Sequence, residues 1–279
     1  MKSITFGHSP DADDAFMFYA LAKGFVKIPG YAIEHNMQDI ETLNKIAEIG
    51  KIEVTAISAA QYPKISKDFR IMSCGASVGR QYGPMVVSDK PMNESDLLGT
   101  KIGVPGEMTT SWLLYRLFAP PFSEAKFYPF DEITDAIKER EVDAGILLHE
   151  GQILYKKQGL FGVLDLGKRW FEKTNLPIPL GLDVVNRSLG DELIQSISDA
   201  LKESIIFARN NENEALEYAL GFGRGIDTDT GRKFVRMYVN DDTEDIGEDG
   251  IEALKTLFAI ASQRGILDKA PELDIVWAN

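Results

Sequence analysis

The chain has 279 residues, a formal net charge of −13, 44% hydrophobic residues and 26% charged ones. That make-up belongs to a folded globular protein with core enough for one large or two medium domains, and excludes a disordered chain. So acidic a protein is unsuited to wholesale binding of nucleic acid or anionic lipid, and an anionic ligand must be held by local donors against the net field.

Residues 4–6 predict a short strand, followed by Gly7-His8-Ser9-Pro10 and a helix over about 11–23 with Phe16, Phe18, Tyr19 and Ala22 at core-facing spacings. Ser9 has the chemistry of an N-cap, Pro10 suits a first helical position, and Asp11, Asp13 and Asp14 suit the positive end of a helix. A second helix starts at Asp39 and runs through Leu43, Ile46 and Ala47 to Gly50; a strand over 54–57, ending at Ser58, completes a βαβ rhythm. Strands at 71–73 and 84–87 flank a bend that holds Gly75, Gly79, Arg80 and Gly83. Lys101-Ile-Gly-Val104 is the next strand, and Pro105-Gly106 leads to Thr109-Thr110-Ser111, which open a helix through Trp112, Leu113, Arg116 and Leu117. The pattern repeats with a strand at 126–129, a helix capped by Asp131 and a strand at 144–148. A proline-bearing segment, Leu176-Pro-Ile-Pro179-Leu-Gly181, precedes a final strand, and helices over 191–209, 212–220, 228–237 and 248–264 fill the last third. Periodicity therefore gives an α/β protein.

Polar residues at the carboxyl edge of a buried strand face the crevice where open α/β sheets bind ligands. In Asp143-Ala-Gly-Ile-Leu-Leu-His149-Glu150-Gly151 an apolar run ends in this way. An imidazole titrates near neutral pH and can take a proton from a substrate and return it, so His149 is the candidate catalytic residue; the plain alternative is a hydrogen-bonded packing histidine. Thr109, Thr110 and Ser111 place hydroxyls and helix-start N–H groups where an anion binds, while one threonine also serves as N-cap. Ser58 offers either a polar anchor or turn chemistry. Gly79 either lets the backbone approach a ligand or supplies a tight loop. Arg80 either clamps a carboxylate or lies at the surface, and Asn240 either reaches the crevice or ends a helix. His8 is either a second acid–base group or a partner for a backbone carbonyl, and His35 reads as surface. Nothing near the acids at 11–14 completes a ligand set, so no metal site is expected.

The single cysteine, Cys74, excludes an intrachain disulfide and a multi-cysteine zinc site. No apolar run approaches the ~20 residues of a membrane span. The start, Met1-Lys2-Ser3-Ile4-Thr5-Phe6-Gly7, lacks a signal-peptide pattern, so the expected location is the cytoplasm.

Taken together, His8-Ser-Pro-Asp-Ala-Asp-Asp-Ala-Phe-Met-Phe-Tyr-Ala-Leu21, Val104-Pro-Gly-Glu-Met-Thr-Thr110, Ile146-Leu-Leu-His-Glu-Gly151 and Leu176-Pro-Ile-Pro-Leu-Gly181 resemble the 1,4-dihydroxy-6-naphthoate synthases, late enzymes of the futalosine route to menaquinone. Tyr238-Val-Asn240 and Ile246-Gly-Glu-Asp-Gly250 extend the likeness over nearly the whole chain. The resemblance implies a two-lobed α/β fold of the type II periplasmic-binding-protein class with the ligand cleft between the lobes, recruited to catalysis in the cytoplasm. The larger lobe is expected from residues 1–88 and 180–279, and the smaller from an insert over 89–179. The implied substrate is cyclic dehypoxanthinylfutalosine, a small anion, with a histidine at the position of His149 as the base that triggers cleavage to the naphthoate and a sugar-derived fragment. No metal or organic cofactor is implied. Ser9, Asp14, Ser58, Gly79, Arg80, Thr109, Thr110, Ser111 and Asn240 are the expected substrate contacts.

Two rivals stand beside this reading. Chorismate dehydratase of the same pathway shares the lobed fold but generally lacks the histidine-acid-glycine strand end, and a solute-binding protein for a small carboxylate needs an export or lipidation signal. The family usually carries Ser-Pro-Cys-Pro-Asn-Asp-Thr-Phe where this chain has Ser9-Pro-Asp-Ala-Asp-Asp-Ala15-Phe16. Asp11, Asp13 and Ala15 make that helix entrance more acidic and remove donors, which alters what a pocket lined by it accepts.

Overall fold

The computed structural model describes residues 2–222 and 227–279. In chain order the strands are β1 (Lys2–His8), β2 (Tyr31–Met37), β3 (Val54–Ser58), β4 (Phe69–Met72), β5 (Ser77–Gly79), β6 (Met85–Ser88), β7 (Lys101–Val104), β8 (Glu124–Phe127), β9 (Ala144–Leu147), β10 (Phe161–Asp165), β11 (Ile178–Asn186) and β12 (Ile275–Val276). One sheet runs β12-β4-β11-β3-β1-β2, with β5 also pairing to β11, and the other runs β10-β6-β9-β7-β8. The chain therefore builds the first sheet, leaves it for the second, and returns through β11. β6 lies ahead of the boundary expected after residue 88, yet it pairs with β9 and β10 in the second sheet.

Central strands are apolar on both faces because helices cover both. Every residue of β3 and of β9 is buried. The edge strand β2 is partly polar, with Ala32 and Glu34 exposed, and so does not read as a strand from sequence. Its seven-residue parallel register with β1, from Lys2↔Tyr31 to His8↔Met37, is what holds it. The segment between residues 155 and 175 also carries more structure than its sequence announces: β10, and a helix over Leu166–Thr174 that anchors the return with the buried Trp170, whose indole N–H donates to the Pro177 carbonyl at 2.8 Å.

The first helix differs from expectation in two ways. It divides into Ala12–Met17 and Tyr19–Ala22 around Phe18, and its N-cap residue is Asp11, not Ser9. Ser9 is spent on the turn before it: its N–H donates to Asp14 Oδ2 at 2.6 Å and its Oγ accepts the Asp11 N–H at 3.2 Å. All six residues of Ala12–Met17 are buried, Asp13 and Asp14 included.

The two links between the sheets touch. A side chain on Gly167 would overlap the Tyr82 carbonyl, and one on Gly83 would place its Cβ 2.9 Å from the Gly167 Cα, so both positions require glycine for close approach.

His8 and His35, the latter expected at the surface, form a pair at the end of β1 and in β2. His8 Nδ1–H donates to the Ser9 carbonyl at 3.0 Å, which leaves Nε2 to accept from His35 Nδ1 at 3.0 Å, while the His8 ring stacks on Phe18 at 4.5 Å. Burial pulls His8 down to about 4, and burial followed by the neighbouring His8 pulls His35 down to about 4. A histidine depressed on folding contributes stability that is fully present above its unfolded value of ~6.5 and is lost as pH falls through the folded one. The urea midpoint is expected to drop between pH 6.5 and 4, and to drop less in His35→Gln; an equal drop in the variant refutes the assignment.

Candidate active site

The carboxyl ends of strands from both sheets meet across a cleft, the place where α/β folds hold ligands. β1 delivers Ser9, Asp13 and Asp14, β3 delivers Ser58, β7 leads to Thr109, Thr110 and Ser111, and β9 leads to His149; all line one cavity of about 100 Å³. His149 adopts φ 50°, left-handed backbone that a non-glycine residue takes only where its surroundings hold it, and such strain gathers at functional sites.

The imidazole is mostly buried, with ring centroids 4.9 Å from Phe130 and 6.4 Å from Phe234. Its Nε2 lies 3.5 Å from Asp11 Oδ2, and neither atom has a hydrogen-bond partner among the described residues. Burial pulls the imidazole down, but the carboxyl groups of Asp11, Asp13, Glu150 and Asp14 outweigh it and hold His149 above its ordinary 6.5. Burial and then the adjacent Asp14 push Asp13 up to about 8, against the pull of His149. Burial also raises Asp14, restrained by the N–H that Ser9 donates to it.

On the facing walls, Asn44 fixes Ser58. The Ser58 N–H donates to Asn44 Oδ1 at 2.8 Å and Asn44 Nδ2 donates to Ser58 Oγ at 3.1 Å, which leaves the serine O–H free to donate into the cavity. Thr109 is the N-cap of the helix Thr110–Phe118, accepting from the Trp112 N–H at 3.3 Å. The Thr110 hydroxyl is committed across the cleft, donating to the Leu180 carbonyl at 2.7 Å and accepting the Ala60 N–H at 3.1 Å. The donors left for a ligand are the Thr110 and Ser111 N–H groups, which have no helical partner in the first turn; the Ser111 hydroxyl donates to Thr109 Oγ1 at 3.1 Å, because the Thr109 hydrogen goes to the Gly106 carbonyl at 2.9 Å.

Gly79, Arg80 and Asn240 lie elsewhere. A side chain at Gly79 would overlap the Tyr82 carbonyl, so this glycine serves its own turn. Arg80 clamps a carboxylate, but the protein's own: Asp242, at 2.8 and 2.7 Å. Asn240 caps the short helix Asp241–Glu244 and donates to the Met237 carbonyl at 2.9 Å. Asp13, Phe234, Tyr238 and Gln152, none of them an expected ligand contact, also line the cavity. Phe234 and Tyr238 share a face of the helix Thr228–Tyr238 at a spacing of four, a legible signal for one buried face though not for which cavity it meets.

Further contacts hold the walls together. Tyr238 donates to Gln152 Oε1 at 2.8 Å. Glu41, on the helix Ile40–Glu48 beside the first sheet, accepts the Glu107 and Met108 N–H groups of the β7 loop at 3.1 Å each.

The profile of the menaquinone biosynthesis family matches residues 4–263. The chain belongs to that family. Relatives of this menaquinone biosynthesis protein include the enzyme named 1,4-dihydroxy-6-naphthoate synthase of Thermus thermophilus, 35% identical over 271 residues, 97% of this chain and 98% of the relative. The enzyme of the same name from Streptomyces coelicolor is 33% identical over 271 residues, 95% of each. A solved structure of a protein from Archaeoglobus fulgidus superposes with a TM-score of 0.91 at 46% identity, covering 95% of this chain and 98% of that one. The periplasmic aliphatic sulphonate binding protein of Escherichia coli shares the fold alone, with a TM-score of 0.66 at 11% identity over 97% of this chain and 90% of that one. The protein is thus a two-lobed α/β chain of the periplasmic-binding-protein type. No helix among the described residues is long and apolar enough to cross a membrane.

Hydrogen bonds to a charged group contribute about 1.5–3 kcal/mol, so loss of the Glu41 contact shifts a closed-to-open ratio by roughly ten- to a hundredfold. Glu41→Ala is expected to increase the radius of gyration of the ligand-free protein in small-angle X-ray scattering. Unchanged scattering would mean that this contact does not hold the lobes together.

Proposed function

We propose that the protein is a 1,4-dihydroxy-6-naphthoate synthase acting in the cytoplasm on cyclic dehypoxanthinylfutalosine, with His149 as the base whose proton abstraction triggers cleavage. The observation that carries this reading is His149 itself, an imidazole set in left-handed backbone at the cleft and surrounded by acids that raise its proton affinity. The substrate carboxylate is held at the start of the helix Thr110–Phe118, where open N–H groups supply local donors to an anion in an acidic protein. Ser58 is a further anchor, and Leu180, Leu182 and Phe234 give the apolar walls an aromatic ring needs. That both named relatives are synthases favours this reading over chorismate dehydratase.

The lobes we propose are a larger one from residues 1–83 and 180–279 and a smaller one from the insert over 84–179; the earlier start, in place of the expected 89, is supported by the pairing of β6 within the second sheet. At about 100 Å³ the cavity is well below the ~300–1,000 Å³ of sites that enclose a drug-sized ligand, so the lobes part to admit substrate. Closure then excludes water and sets the base against the substrate.

Incubation with cyclic dehypoxanthinylfutalosine is expected to yield 1,4-dihydroxy-6-naphthoate by mass spectrometry, and His149→Ala to bind substrate while losing about 10²–10⁴-fold in turnover. No product from folded wild-type protein would sink the substrate assignment, and full turnover in the variant would sink the base. Because a base works neutral and His149 is held above 6.5, kcat/KM is expected to rise with pH along a limb that lies above 6.5. A limb at or below 6.5 contradicts the assignment.

A further inference from the structure

Asp11 is the N-cap residue of Ala12–Met17, yet its side chain makes no cap hydrogen bond. It is 5% exposed, and it turns Oδ2 toward His149 Nε2 at 3.5 Å, each atom buried and without a hydrogen-bond partner among the described residues. The two residues reach the contact from different sheets, Asp11 from beyond β1 and His149 from beyond β9. We propose that Asp11 is the positioning residue of His149: it orients the imidazole through Nε2 and leaves Nδ1 for the substrate, so that the competent base is assembled only when the lobes meet. The proposal rests on the reading of His149 as the base.

The chemistry follows from the geometry. A histidine with one nitrogen against a carboxylate carries its hydrogen there, and the other nitrogen holds the basic lone pair. When Nδ1 takes the substrate proton, the electron pair left behind drives the cleavage, and the ring becomes an imidazolium whose charge Asp11 stabilises across the contact. The other acids that face the ring are Asp13 and Asp14 from the same turn of the larger lobe and Glu150 beside it in sequence. Asp13, raised to about 8, is mainly protonated at pH 7, and Asp14 is occupied by the Ser9 N–H. Phe130 and Phe234 pack against the ring and bring no charge. Opening the cleft carries Asp11 away with its lobe, so a base exposed to bulk water is the weaker one.

The test is an NMR titration of the full chain with ¹³C-labelled imidazoles. Of the three histidine Cε1–H signals, His149 is the one lost in His149→Gln. In Asp11→Asn the His149 midpoint is expected to fall by about 1 pH unit or more, as loss of an opposite charge within ~4–6 Å produces. The acid limb of kcat/KM is expected to fall with it, and Asp11→Glu to restore much of both. Since no cap hydrogen bond is lost, Tm is expected to stay close to wild type at a pH above both midpoints, where His149 is neutral in either protein; Asp11→Ser gives the same reading should asparagine disturb the turn. An unchanged His149 midpoint overturns the pairing whatever the activity. A midpoint that falls while His149→Gln keeps full turnover overturns the base reading instead, and with it the catalytic role of Asp11.

Discussion

Burying carboxyl groups is the constraint around which this cleft is arranged. Asp11, Asp13, Asp14 and Asp183 are all nearly inaccessible in a chain whose net charge is already −13. A buried charge is tolerable only when protonated, hydrogen-bonded or paired, and each device is in use. Burial and then Asp14 keep Asp13 protonated; Asp14 takes the Ser9 N–H; Asp11 faces the one imidazole of the opposite wall. Burial, with Asp14 adding to it, raises Asp183 well above the carboxylate range, and neither of its oxygens has a hydrogen-bond partner among the described residues. Gly75 leaves it room, since a side chain there would overlap the Asp183 carboxyl.

The same constraint links electrostatics to lobe position. His149 gains proton affinity mainly from Asp11, Asp13 and Asp14, which follow a strand of the first sheet, so that affinity depends on the two sheets' meeting. Polar contacts cross the rim at several points: the Thr110 hydroxyl between Leu180 and Ala60, Tyr238 against Gln152, and Glu41 on the β7 loop. Beside them lies an apolar contact, since one hydrophobic cluster joins Ile57, Leu182 and Leu254 on the side of the first sheet to Leu113, Leu114 and Leu117 of the helix Thr110–Phe118.

Much of the fold was legible because its buried strands are short apolar runs and its helices carry clear starts. Asp39 caps its helix through the Thr42 N–H at 3.0 Å, where the pattern put it. The strand Tyr31–Met37 was not legible, because it lies at an edge, leaves two residues exposed and owes its form to β1. The split first helix was hidden for a related reason: acids at 11–14 look like solvent-facing dipole complements, and here they are buried. Arg80 and Asn240 show the converse. Both are the right chemistry for a ligand, and both are satisfied by residues such as Asp242 and Met237 that are distant in sequence or chosen by a local cap.

The sequence by itself determined the alternation of strands and helices, the family, and the residue types at strand ends and helix starts, because these depend on local periodicity and on short runs such as Ile146-Leu-Leu-His-Glu-Gly151. Only the tertiary structure decided which of those residues share a cavity, which hydroxyls are already committed, and that Asp11 meets His149. Proton affinity and hydrogen-bond vacancy depend on distances between residues that lie more than a hundred positions apart in the chain, and no local pattern encodes them.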